Sequence, residues 1–494
     1  MRSARLRAAV LASALTLGVV SSTVVPAAAD SRTGVSAAAL PTLAGRLAAV
    51  RVAKSLNYYP SNAAWSSMWT DFDAKRIDAD LAKAAKLGAD NVRVIVFPQA
   101  FGYPKPLSGY AERLSTFIGL AAKNGMTVKL TLFDWWDGYS EIARSTNWAR
   151  SVLAPYANDP RVIAVELKNE FQPDDAGAVN WVRKLIPVVR AAAPSMPLTL
   201  SVDGQTGAPG MAKIKKALAG TPLDYYDFHF YGSSERALAE IRKAQAAVAP
   251  SPIVIGETGL STAADSEGEQ AAFLARVFRA AREAGVGSVS PWTFTDFISG
   301  AIPDHSAVSE KPAQYKFGLH HIDGSPKAAA GVVRDAWTTG ATPNSVLNLS
   351  FEADLPDSPW RRNLPRAGGG TVATGTARTG KAAARFSGTT RTPAGLPSLV
   401  TSPITPVQAG HRWRAEAYAR GASATGITEI TLSWFDANGR WISQHSSNRL
   451  PNGTTSWTKL AVETVAPPGA AGVQLHLKSG DNRGTVWFDD VAVS

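Results

Sequence analysis

The sequence predicts an α/β chain in which a parallel (β/α)8 barrel is followed by an all-β sandwich of jelly-roll type. Three observations predict it. Apolar strand-like runs alternate with helical patterns eight times between residues 52 and 337. The first strand ends in Asn57-Tyr58-Tyr59-Pro60, not in the glycine-rich turn that a doubly wound nucleotide-binding sheet normally carries. After residue 346 the helical period gives way to short alternating strands split by Gly, Pro and Asn.

The N-terminus reads as an address. Arg2, Arg5 and Arg7 precede an apolar run from Ala8 to Val20, and Ala27-Ala28-Ala29 offers a small-residue cleavage site, so residues 1–29 are expected to be an export signal. The run is short for a membrane span and is broken by Ser21, Ser22 and Pro26, so no membrane attachment is expected after cleavage. A secreted, extracellular and monomeric protein is the expectation. The chain has no cysteine, which excludes disulfides and cysteine-based metal sites and leaves stability to large cores. The net charge of +11 is spread along the chain with acids interleaved, and no basic run carries aromatics, which argues against nucleic acid as a partner.

The elements follow in order. Residues 30–50 read as a loose leader. The barrel, residues 51–337, takes strands at Val52–Tyr58, Asn91–Phe97, Thr127–Phe133, Val162–Leu167, Leu198–Val202, Tyr225–Tyr231, Pro252–Thr258 and Ser288–Phe294. Helical patterns follow them at Phe72–Leu87, Tyr110–Lys123, Asn147–Tyr156, Asp175–Ala193, Met211–Ala219, Ser234–Val248, Glu267–Ala284 and Lys327–Trp337, with stops such as Gly88, Gly125 and Gly285. Residues 338–345 are a linker, and 346–494 form the sandwich. There, Trp413, Ala415 and Ala417 alternate with Arg412, Arg414 and Glu416, the pattern of a half-buried strand.

In such a barrel, chemistry sits at the C-terminal strand ends. The fourth strand ends in Asn169-Glu170. Taken alone, a helix N-cap followed by a first-turn acid explains that pair better. The other strand ends reverse the balance: Asn57 and Tyr58, Arg93, Asp134 with Trp135 and Trp136, Asp203, His229 and Tyr231, Glu257, and Trp292. Aromatic faces stack on sugar rings, while amides, carboxylates and imidazole read hydroxyls. Glu170 and Glu257 lie on strands four and seven, which face each other across eight strands, and two carboxyl groups astride one bond are what glycoside cleavage needs. Burial among apolar walls raises a carboxyl pKa and suits Glu170 to the acid role. Arg93 and the Tyr231 hydroxyl would keep Glu257 ionised as nucleophile; a rim salt bridge between Arg93 and Glu257 is the plainer alternative. Gly256 is read as room for close backbone approach. His229 would orient Glu170 or touch the sugar, with a satisfied core imidazole as the plainer alternative; Trp292 would floor the cleavage point, with a core Trp as its alternative; and Trp135 and Trp136 would line an outer subsite.

At these residues the chain resembles clan A glycoside hydrolases, most closely glycoside hydrolase family 5, the cellulase and mannanase family, over roughly residues 52–337. The resemblance implies Asn169-Glu170 as the pair carrying the acid/base, with Asn169 on the sugar 2-hydroxyl, and Glu257 as nucleophile. Arg93, His229-Phe230-Tyr231 and Trp292 match further family positions. Phe171 replaces the usual Pro after the pair, and Phe133-Asp134-Trp135-Trp136-Asp137 lacks the His of many cellulases and is closer to mannanases. The C-terminal part resembles jelly-roll carbohydrate-binding modules through Asn348-Leu349-Ser350-Phe351-Glu352, the Trp434–Gly439 hairpin and Val486–Val491. That resemblance implies a structural calcium, with Glu352 and Asp489 as oxygen ligands and two surface carboxylates as the alternative reading. Trp360 and Trp441 are candidate sugar platforms.

The sequence therefore leads to a secreted retaining β-glycosidase acting on a polysaccharide or oligosaccharide, of mannan, cellulose or galactan type, with no cofactor for catalysis. A transglycosylase of wall glycans and a non-catalytic carbohydrate-binding protein are the competing readings. A metal hydrolase is disfavoured, because no His-x-His or His-Glu-x-x-His spacing occurs.

Overall fold

The computed structural model describes residues 41–265, 267–338, 351, 360–401 and 405–493. The expected signal, residues 30–40 of the expected leader and residues 339–345 of the expected linker lie outside them; Thr338, expected in the linker, ends a helix. The barrel strands are β1 (Ser55–Asn57), β2 (Asn91–Ile95), β3 (Thr127–Thr131), β4 (Val162–Glu166), β5 in two pieces (Leu198–Thr199 and Ser201–Val202), β6 (Tyr226–Phe230), β7 (Ile253–Thr258) and β8 (Val289–Pro291). All neighbouring pairs are parallel. One sheet runs from β1 to the first piece of β5, and a second runs from the other piece to β8. The ring closes where the Phe294 N–H donates to the Asn57 carbonyl at 3.2 Å.

The longer helices are α1 (Leu43–Val52), α2 (Ala74–Lys86), α3 (Ser108–Lys123), α4 (Ile142–Leu153), α5 (Ala176–Ala192), α6 (Gly207–Ala217), α7 (Ala237–Val248), α8 (Glu267–Glu283) and α9 (Ala328–Thr338). Their ends are chemically specified. Asp73 caps α2 by accepting from the N–H groups of Lys75 and Arg76, and Asp175 caps α5 through Ala178. Gly88 and Gly125 turn the chain at φ +95° and +76°, where a side chain is strained. Trp69 and Trp148 bridge strand and helix layers, donating from their indole N–H to the carbonyls of Ile95 and Leu132.

The leader expectation is corrected at its C-terminal end. Residues 43–52 are helix α1, not loose chain, and Val52 ends that helix rather than starting β1. Val50 packs with Ile163, Ala164, Tyr225 and Val254 under the N-terminal end of the barrel, and Arg46 donates to the carbonyls of Ala157 and Asp159. α1 therefore stoppers the barrel opposite the functional end.

The C-terminal part is two antiparallel sheets. One orders Trp360–Asn363, Ser398–Thr401, Gly472–Gly480, Ile427–Phe435 and Trp441–Ser446; the other orders Thr371–Thr374, Ala382–Thr389, Asn482–Val493, Arg412–Ala422 and Thr458–Val465. Trp413, Ala415 and Ala417 point into the core between them, as the alternation predicts. This body packs on the barrel: the Arg279 guanidinium of α8 lies 3.5 Å from the centre of the Trp413 ring, and Arg242 of α7 donates to Gln408 at 2.6 Å. Trp360 is buried against Phe351 and is a core residue, which removes it as a sugar platform. Among the described residues no helix is long and apolar enough to cross a membrane.

Candidate active site

Glu170 leaves the end of β4 on a left-handed backbone, at φ +44°, and the turn is pinned from both sides. The Glu170 N–H donates to Ser201 Oγ at 2.7 Å, the Asn169 N–H to the Phe133 carbonyl, and the Phe171 N–H to the Ser201 carbonyl. Glu257 enters from β7 in register with His229 on β6. One carboxylate oxygen of Glu170, one of Glu257 and a ring nitrogen of His229 lie within 4.8 Å of one another. His229 Nδ1 is 3.3 Å from Glu170 and 3.5 Å from Glu257.

Arg93 is the hub beneath them. It donates to Glu257 Oε1 at 2.6 Å, Glu166 Oε2 at 2.7 Å, Asn169 Oδ1 at 2.7 Å and Asn57 Oδ1 at 2.9 Å. The Tyr231 hydroxyl donates to the other Glu257 oxygen at 2.8 Å, and burial, then the Glu257 charge, push that phenol well up, so it stays a donor. Glu257 thus receives one charged and one neutral donor, one on each oxygen. Burial alone would raise the Glu170 carboxyl, as the sequence argument expects. The hydrogen bond and charge of His229, helped by Arg93, outweigh it and hold Glu170 below its ordinary value. Asp134 goes the other way: burial dominates over Asn169 and Lys168 and raises its pKa to about 6.

Several residues expected to touch sugar make hydrogen bonds or ring contacts within the protein. Asn57 spends its amide on Arg93 and on the carbonyls of Gly256 and Pro291, so it braces the hub. The Tyr58 hydroxyl donates to Asp80 on the helix side of the barrel. Trp136 is buried beside Tyr103 and Phe133 behind the cleft, and Asp203 accepts from the N–H groups of Gln205 and Thr206 in the turn before α6. Asp134 accepts from Asn169 Nδ2 at 3.0 Å, which orients that amide. Trp292 packs edge-on against Tyr59 and Trp65, and Trp65 stacks on Trp135 at 5.7 Å and 8°. Tyr59 and Trp65, buried rings that back Trp292 and Trp135, were missed by strand-end reasoning, since both come from the loop after β1. Lys168, buried behind Asn169 with its ammonium on that residue's carbonyl, was missed as well.

A charged layer lies below the glutamates. Lys129 pairs with Asp227 and stands 3.7 Å from Glu166, whose carboxylate burial would raise but which Arg93 and Lys129 hold well below its ordinary range. Gly256 makes room for a side chain, not for backbone: a Cβ there would lie 1.9 Å from Asp227 Oδ1. Among the described residues, the ligand-type clusters are Glu166, Asp227 and His229, and Glu170, His229 and Glu257; Arg93 pairs with Glu166 and Glu257, and Lys129 with Asp227. Asp489, expected near a calcium, accepts from the N–H groups of Arg378, Thr379 and Asp490, and its expected partner Glu352 lies outside the described residues.

Comparison with known proteins bears on the barrel. The model of the cellulase family, glycosyl hydrolase family 5, matches residues 54–297. Endoglucanase E-5 of Thermobifida fusca is 25% identical over 246 residues, 47% of this chain and 51% of that protein, so the chain spans about half the length of the curated relative it matches. A GH5_18 structure from Streptomyces cattleya in complex with GlcNAc superposes with a TM-score of 0.50 at 19% identity, covering 60% of this chain and 83% of that one. The exo-beta-1,4-mannosidase Op5Man5 from Opitutaceae bacterium strain TAV5 gives a TM-score of 0.48 at 21% identity, covering 58% and 59%. The strand order, the parallel register and the family match converge on the barrel, which over residues 54–297 is similar to the cellulase family, glycosyl hydrolase family 5.

Proposed function

We propose that the protein is an exported, retaining β-glycosidase that cleaves O-glycosidic bonds of a mannan-, cellulose- or galactan-type glycan by double displacement. The observation that carries this reading is the approach of Glu170 and Glu257 oxygens to within 4.8 Å. Retaining pairs stand about 5–5.5 Å apart, inverting pairs roughly 6.5–9.5 Å. Glu257 attacks the anomeric carbon as the bond to the leaving oxygen breaks and Glu170 gives that oxygen its proton. Water then attacks the glycosyl ester, passes a proton to Glu170 and releases the Glu257 carboxylate. Family 5 catalysis needs no cofactor.

Glu170 must begin protonated, and His229 supplies the means. Burial works against the imidazolium, but Glu257, the bond to Glu170 and Asp227 outweigh it and raise the His229 pKa. When a sugar displaces water, the lower polarity favours the neutral pair, protonated Glu170 beside neutral imidazole, over the ion pair. The deciding experiment follows the first-formed product anomer by proton NMR on a panel of β-linked glycans. The β-anomer supports the reading, and the α-anomer appearing first overturns it.

Glu170→Ala should lower kcat on unactivated glycosides by about 10²- to 10⁴-fold. On a dinitrophenyl glycoside, whose leaving group needs no proton, the first step should survive and added azide should restore turnover. Equal losses on both substrates, without azide response, would remove Glu170 from the acid/base role.

The charged and apolar N-terminal segment supports export. For the sandwich we assign a glycan-binding role to the face carrying Trp441, which is 60% exposed on an edge strand beside the Lys478–Gln444 pair. Trp441→Ala should weaken retention on insoluble polysaccharide by about tenfold, the scale of one lost aromatic stack. Pull-down against cellulose and mannan, with the barrel activity as control, measures it. Asp489 we assign to anchoring the 378–379 turn rather than to calcium, because its oxygens already serve three backbone donors.

A further inference from the structure

His229 and Asp227 lie two residues apart on β6 and so project to the same inner face of the barrel. His229 Nε2 and Asp227 Oδ1 are 3.8 Å apart, both fully buried, and neither has another hydrogen-bond partner. Leaving two such atoms unpaired costs free energy, while pairing them with each other needs only a small approach, and bonds of this kind are often long before substrate binds. The carboxylate is held in place on its other side by Lys129, and it occupies the space that the missing side chain of Gly256 leaves free. The opposite ring nitrogen, Nδ1, faces both Glu170 and Glu257.

We infer that Asp227 is a positioning residue for the glycosidase reaction proposed above: it accepts the His229 Nε2–H and thereby fixes Nδ1 as the nitrogen that exchanges a proton with Glu170. The exchange is balanced: one proton moves between Nδ1 and a Glu170 oxygen, and the Nε2–H stays on Asp227. Every charged or titratable neighbour of the imidazole fits this. Glu170 and Glu257 face Nδ1, and Asp227 faces Nε2. Arg93, Glu166, Lys129 and Tyr231 are already paired with one another or with those carboxylates. With the other tautomer, a buried nitrogen lone pair would point at the Asp227 carboxylate, a repulsive contact.

The test compares Asp227→Asn with the double variant Lys129→Met/Asp227→Asn, which removes the buried cation together with its anion and so keeps the net buried charge of the wild type. Both should lose kcat by about 10- to 100-fold with KM nearly unchanged. Their alkaline limb of kcat/KM should move to lower pH by about one unit or more, because the imidazolium loses an anion. Wild-type kcat and pH profile in the double variant would show that Asp227 serves only as the counter-ion of Lys129, and would overturn the inference. Nitrogen-15 NMR of histidine-labelled protein reads the same point without substrate. Protonated Nε2 is expected for His229 in the wild type, with the preference lost in the variants; an unprotonated Nε2 in the wild type refutes it. That spectrum stands even if no glycoside is turned over, so failure of this inference and failure of the proposed function are separable.

Discussion

Glu257→Gln should abolish turnover, by about 10⁴-fold or more in kcat, while the protein folds and binds its glycan normally. The expectation follows from what each Glu257 oxygen does. Oε1 accepts from Arg93 and Oε2 from the Tyr231 hydroxyl. A glutamine keeps an acceptor toward Arg93, and the phenol can turn to accept from the new amide, so both buried contacts survive with no volume change. An amide is, however, no nucleophile toward an anomeric carbon, and no other carboxylate shares its position. Removing the anion also lowers the affinity of His229 for its second proton, since Glu257 is, after the opposing effect of burial, the strongest influence on that imidazole. Thermal unfolding within a few degrees of wild type, an unchanged glycan Kd by calorimetry and no detectable product would be the consistent set. Activity within tenfold of wild type would end the nucleophile assignment and, with it, the double-displacement reading.

The parts of this site legible in the sequence are those where a polar residue interrupts an apolar strand at its end. Asn169, Glu170, His229, Tyr231, Glu257 and Trp292 all announce themselves that way, and the structure gathers them at one end of the barrel. What stayed hidden has definite physical causes. Lys129 sits in Thr127–Thr131, where alternation reads every second polar residue as solvent-facing; in a barrel that second face is also interior, and the ammonium is buried against Asp227. Asp227 and Glu166 were masked by the same ambiguity. Gly256 signalled that something approaches closely, without saying that it is a carboxylate. Tyr59 and Trp65 come from a loop, where no periodicity marks which ring packs against Trp292. Helix α1 escaped because it buries little beyond Val50 and Arg46, and an Ala-rich segment with so narrow an apolar stripe looks like a leader. Leu200, where β5 breaks, shows no turn residue at all.

Arg93→Met should be the most damaging single change to the fold of the barrel as well as to its chemistry. Arg93 is buried and gives four side-chain hydrogen bonds, two of them to carboxylates. Methionine fills much of the volume and supplies no donor, so Glu166 and Glu257 remain in the interior with part of their compensation gone. Breaking a buried pair by removing one partner costs about 3–5 kcal/mol, which is a large share of the stability of an ordinary domain. Lysine should not rescue the site, since a single ammonium cannot span four acceptors arranged around a planar guanidinium. The pH dependence supplies the sign. Burial acts to raise the Glu166 pKa, yet Arg93 and Lys129 hold it below its unfolded value. Its contribution to stability is therefore present above the unfolded carboxylate pKa and is lost as pH falls through the folded one. In Arg93→Met the folded pKa rises toward or above the unfolded value, so the stabilisation at neutral pH disappears and the gap between wild type and variant narrows on acidification. Urea unfolding at pH 7 and at successively lower pH measures that gap directly. A variant with wild-type stability at pH 7 and more than a tenth of wild-type activity would show that the hub neither holds the two glutamates nor keeps Glu257 ready to attack.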